Sequence, residues 1–112
     1  MNDRELTELA AKAAGCYDLG EWDDKWNCLT NYEGWTFDPL TDDGDALRLA
    51  VKLSLTVFTG GVGCVSVSGW IVCGTDATPI NMSEHCGSGD KYAATRRAIV
   101  RAAAEIGRTM KE

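Results

Sequence analysis

The spacing of apolar residues changes period twice along this chain, and this limits the possible folds more than any other feature. Over residues 3–14, Leu6, Leu9, Ala10 and Ala13 fall at the i, i+3, i+4, i+7 intervals of one helical stripe. From Ser54 to Gly74 the period drops to two, the alternation of strands. From Lys91 onward, Tyr92, Ile99 and Ile106 recur every seven residues and a helical repeat returns. Helices on either side of a block of strands make a layered α+β domain. At 112 residues the chain is read as a single domain, 1–112, able to bury a core without disulfide or metal staples.

Local signals place the element ends. Asn2 or Asp3 can cap the first helix, and Gly15 stands where a left-handed C-terminal residue is wanted. A second helix is predicted over 42–53, with Thr41 or Asp42 as N-cap and Asp43 and Asp45 at the positive end of its dipole. Leu47, Ala50, Val51 and Leu53 are expected on its buried side. Strands are expected at Ser54–Thr59, Val62–Val67 and Trp70–Gly74, turned at Gly60-Gly61 and at Ser68-Gly69. That register pairs Val57 with Cys64 and Val67 with Trp70. It puts Leu55, Val57, Cys64, Ile71 and Cys73 on one face and Phe58, Val65, Val67, Trp70 and Val72 on the other. Both faces are apolar enough to require a cover, from helices or from another subunit. Residues 75–90 are expected as loop, with Ser88 or Asp90 capping a last helix over 91–110.

Charge and cysteine usage narrow the function. A net charge of -6 repels duplex phosphate and anionic lipid, so duplex nucleic acid is not an expected partner. The charge is unevenly spread. Asp18, Glu21, Asp23, Asp24, Glu33, Asp38, Asp42, Asp43 and Asp45 face Lys25 alone, whereas Lys91, Arg96, Arg97, Arg101, Arg108 and Lys111 face Glu105. This polarity suits a basic helix packed near an acidic segment. There is no apolar run long enough for a membrane span and no signal-peptide core, so a cytoplasmic location is expected. Cys16, Cys28, Cys64, Cys73 and Cys86 are odd in number and form no CxxC pair, which favours buried free thiols.

Little in the chain points to catalysis. His85 is the sole histidine, no nucleophile elbow is present, and no catalytic residue is assigned. His85-Cys86 lacks the paired spacing of a zinc site, and Asp42, Asp43 and Asp45 do not follow a calcium-loop pattern, so no metal or other cofactor is expected. Helix capping accounts for these aspartates. Two features suit a ligand. Gly87-Ser88-Gly89-Asp90 opens a helix beside Lys91, Arg96 and Arg97, where free backbone N–H groups could hold an anion, with plain N-capping as the alternative. Upstream, Trp22, Trp26 and Trp35 lie within an apparent loop, where they could stack on a planar ligand or serve as a lid on the core.

Four pieces in order carry a family resemblance: Leu6 to Leu9 in the first helix, Phe37 to Leu47 with its Pro and Asp-rich helix start, a short sheet, and Ala94 to Ala103 in the last helix. With these the chain resembles the phage ABA sandwich domain proteins over nearly its full length. The resemblance implies an α/β/α sandwich and a phage accessory protein acting in the bacterial cytoplasm, and it supplies no catalytic residues. The expectation is a non-enzymatic homo-oligomer that binds or sequesters a nucleotide-type small molecule, as a counter-defence sponge would. Trp22, Trp26 and Trp35 would meet a ring, and Lys91, Arg96 and Arg97 a phosphate. The alternative is an interaction factor that docks a host or phage protein through the Trp-rich loop.

Overall fold

A computed structural model describes residues 2–15, 21–23, 28–30, 36–60, 63–73, 75–86 and 89–109, with residues 21–23, 28–30, 36 and 73 described through their backbone. The elements run α1 (Asp3–Ala14), β1 (Glu21–Asp23), β2 (Cys28–Thr30), β3 (Thr36–Phe37), α2 (Asp43–Lys52), β4 (Thr56–Phe58), β5 (Cys64–Cys73), β6 (Asp76–His85) and α3 (Lys91–Thr109). The main sheet is an antiparallel meander in the order β4-β5-β6, giving the α+β class and the α-α-β-β-β-α order expected from the sequence. A second, smaller antiparallel sheet, β1-β2-β3, lies in the aromatic segment that reads as loop from sequence.

The helix ends follow their capping chemistry. The Asn2 side chain accepts from the Glu5 amide, and Gly15, at φ 81°, returns its N–H to Ala11 and Lys12. The Asp42 carboxylate accepts from the Asp45 amide. Asp45 in turn accepts from the Asp38 amide at 2.9 Å and from Arg48 at 2.6 Å, and the Thr41 hydroxyl donates to Asp38. The acidic cluster thus works as a folded helix entry. The C-terminus of α2 is closed by Ser54 N–H to Val51 and Leu55 N–H to Ala50, the paired bonds of a Schellman turn. Ser54 takes the left-handed position with φ 55°.

The strand boundaries differ from the expectation. Ser68-Gly69 is not a turn: β5 runs unbroken from Cys64 to Cys73, and its partner β6 occupies residues expected as loop. Val67 therefore pairs with Val57 on one side and Met82 on the other, not with Trp70. Gly69 is needed inside the strand for a packing reason. A Cβ there would lie 2.6 Å from the Leu55 side chain, which crosses the sheet at this point.

The longer β5 also redistributes the faces. Val65, Val67 and Gly69 are buried on the inner face with Ile80, whereas Phe58, Cys64, Trp70 and Val72 are exposed on the outer one. Of the two apolar faces that require a cover, helices cover one. On that side α3 packs directly on β5 and β6, and α1 lies on α3. The buried residues of α1 and α3 are mostly alanines, Ala10, Ala11 and Ala14 on α1 and Ala98, Ala102, Ala103 and Ala104 on α3, and such small side chains let packed helices approach closely. At Gly107 a Cβ would sit 2.0 Å from the Leu9 carbonyl oxygen. One cluster joins α1, α2, the main sheet and α3 into the core. In α2 the buried residues are Ala46, Leu49 and Ala50, so Leu47 and Val51, expected inside, are instead 62% and 71% exposed.

Candidate functional site

Helical geometry separates the cations that the sequence places side by side. On α3, Lys91, Tyr92, Thr95, Arg96 and Ile99 follow the i, i+3, i+4 rule and share a face. Arg97 belongs with Arg101, Ala104 and Glu105 on another. The first face lines a cleft of about 540 Å³, closed opposite by Asp43, Ala46 and Leu47 of α2 and at its end by Val57 and Thr59. The second face lines a separate hollow of about 390 Å³ with Leu6, Met82 and Glu84. Lys91 and Arg96 are thus brought together, and Arg97 is not.

The two hollows differ chemically. In the second, Glu84 stands 2.8 Å from Arg101 and 3.6 Å from Arg97, and Arg97 also meets Asp3 at 3.2 Å. Its cations are already answered by carboxylates. The α2–α3 cleft has largely apolar walls in Ala46, Leu47, Val57 and Ile99, with charge confined to Lys91, Arg96 and Asp43. Arg96 is held from two sides. Its Nε–H donates to the Leu40 carbonyl at 2.9 Å and Nη1 lies 2.6 Å from Asp43 Oδ1. These contacts leave further guanidinium N–H groups and fix the fork in place. The Lys91 carbonyl accepts from the Thr95 hydroxyl at 2.8 Å, but the Lys91 ammonium has no hydrogen bond or ion pair among the described residues, and the residue lies exposed at the first turn of α3. Tyr92 presents its ring to the same cleft while 72% exposed.

The start of α3 is already capped. Asp90 Oδ1 accepts from the Tyr92 amide at 2.9 Å and the Ala93 amide at 3.2 Å. The carboxylate occupies donors that an anion would use, so N-capping is the observed role of this turn, and the positive charge on offer is that of side chains.

The other sequence candidates fall elsewhere. Trp22 lies in β1, paired with Leu29, and is described through its backbone; Trp26 and Trp35 lie outside the described residues. His85 is exposed at the end of β6, opposite Cys64 on β5. Cys64 and Cys86 are free thiols, but Cys64 is exposed and Cys86 half-buried, so the expected burial does not hold for Cys64. It sits at the first position of β5 on the uncovered sheet face.

Sequence reasoning missed Leu47, Tyr92, Val57 and Thr95 as cleft residues. The sequence held no clear signal for Leu47, because Leu47, Ala50 and Val51 follow the same i, i+3, i+4 spacing as the stripe Ala46, Leu49 and Ala50 that the structure buries. Among the described residues no helix is long and apolar enough to cross a membrane. Comparison with family models, with curated proteins and with solved structures finds no match to this chain. The functional reading therefore rests on the cleft.

Proposed function

We propose that this chain is a non-enzymatic binding protein whose α2–α3 cleft holds a small nucleotide-type ligand, with a planar body and an anionic group. The observation that carries this reading is an exposed ring, Tyr92, beside a cation, Lys91, whose ammonium has no partner among the described residues, both lining a cleft of about 540 Å³ with apolar walls. Small-molecule sites commonly occupy ~300–1,000 Å³ and combine apolar walls with a few fixed polar groups. Leu47 and Val57 would contact the ring system, Tyr92 would stack on it, and Lys91 with Arg96 would meet the anion. The local charge favours a singly charged phosphodiester over a doubly charged phosphate, because Asp43 offsets one of the two cations. A phage accessory role that sequesters such a ligand belongs to the same proposal and is supported by the order of sequence motifs described above.

Calorimetry with a panel of cyclic and linear nucleotides tests it. Lys91→Ala is expected to weaken the best ligand about tenfold, or roughly 1.4 kcal/mol. Leu47→Glu, which places a carboxylate at an exposed position of the wall, is expected to abolish binding while leaving the fold intact. Absence of heat from every nucleotide on the wild-type chain overturns the reading.

A further inference from the structure

The outer face of the main sheet is unlike the rest of the molecule. The register gives it two positions on β4 and five each on β5 and β6. Phe58, Trp70 and Val72 stand on it 58%, 60% and 70% exposed. The remaining positions are Thr, Ser, Cys, Ala, Pro, Asn and His, and none is Asp, Glu, Lys or Arg. One residue in four of this chain is charged, so a solvated sheet face of this size would be expected to carry several charges. The inner face of β6, by contrast, does carry them, in Asp76 and Glu84. Exposed aromatic residues together with missing charge are the mark of an interface centre.

We infer that this face is the contact between two copies of the chain, packed sheet against sheet about a two-fold axis. Charge selects that occupant. Each copy carries a net charge of -6, so two copies repel wherever acidic residues would meet, and this face is where they can touch without burying charge. An isologous contact must be complementary to itself, and a face without charges meets that condition, whereas one fitted to a charged partner would carry opposite charges. Size sets the strength. Ten-residue strands run about 33 Å, and two of them with the short β4 make a face roughly 10–14 Å wide. The footprint, of the order of 400 Å² in projection, is that of a small interface, and a reversible dimer is expected. The proposal is independent of the ligand reading, because the cleft opens on the other side of the sheet, where Val57 points.

Sedimentation velocity on the full chain, from low micromolar to several hundred micromolar, reads this out. The wild type is expected to pass from one to two chains per particle across that range. Trp70→Glu and, separately, Val72→Lys are expected to keep it at one chain throughout, with circular dichroism and melting temperature showing the fold retained. Val51→Glu, at an equally exposed apolar position on α2, is expected to dimerise as the wild type does. A wild type that stays monomeric, or a dimer that survives both sheet-face variants, overturns the proposal. Nucleotide binding by the monomeric variants is expected to be unchanged, so failure of the interface and failure of the cleft give different results.

Discussion

At residue scale, two backbone positions show how strictly the packing specifies single side chains. Ser54 closes the Schellman turn after α2 with φ 55°, a conformation that costs a non-glycine residue energy. Ser54→Gly is therefore expected to stabilise the chain by about 1 kcal/mol, measured by chemical denaturation. Gly107 is the opposite case. Helix propensity alone would make Gly107→Ala favourable by about 1 kcal/mol. The added methyl would lie 2.0 Å from the Leu9 carbonyl oxygen, which is backbone and cannot rotate away. The helices must separate, and the expected net effect is a loss of about 1–3 kcal/mol. An unchanged or raised melting temperature for Gly107→Ala would contradict the close α1–α3 approach.

At element scale, α2 shares the buried core with α3 through Ala46, Leu49 and Ala50, and Arg96 adds a polar tie at the start of α2. Its side chain is 16% exposed and its partner Asp43 is 69% exposed, so the two ends of the pair are not equivalent. Asp43→Ala removes a solvated partner and is expected to cost under about 1 kcal/mol. Arg96→Ala also leaves the Leu40 carbonyl without its donor and is expected to cost about 1–3 kcal/mol, measured by denaturant titration. The helices were legible in the sequence through their caps, because Asn2, Gly15 and Asp42 all stand where the structure uses them, although the buried stripe of α2 is not the expected one. The strands were less so. Gly69 imitates a turn, although its real task is to admit Leu55. β6 is polar along most of its length on both faces, and Pro79 within it suits an edge strand. The alternation of Ile80 and Met82 was its one apolar signal. The pairing of Arg96 with Arg97 failed for a simpler reason: adjacent helical residues point about 100° apart.

At the scale of the whole molecule, the chain buries one side of its main sheet under α3 and leaves the other side without Asp, Glu, Lys or Arg and with Phe58, Trp70 and Val72 exposed on it. The acidic segment and the basic helix meet as expected at Asp43–Arg96, and Asp3 of α1 adds a second long-range pair with Arg97. Around that frame the α2–α3 cleft combines apolar walls, an exposed ring and the Lys91 ammonium, and neither hollow shares its lining with the other. The most direct test of the cleft as the ligand site is an amide-resolved NMR titration with the nucleotide that gives the strongest heat. Shifts are expected to cluster on Ala46, Leu47, Val57, Thr59, Tyr92 and Thr95, to shrink in Lys91→Ala, and to leave Arg101 and Glu84 unmoved. Shifts confined to the Arg97–Arg101 hollow, to the outer sheet face or to the Trp22–Trp35 segment would contradict the account.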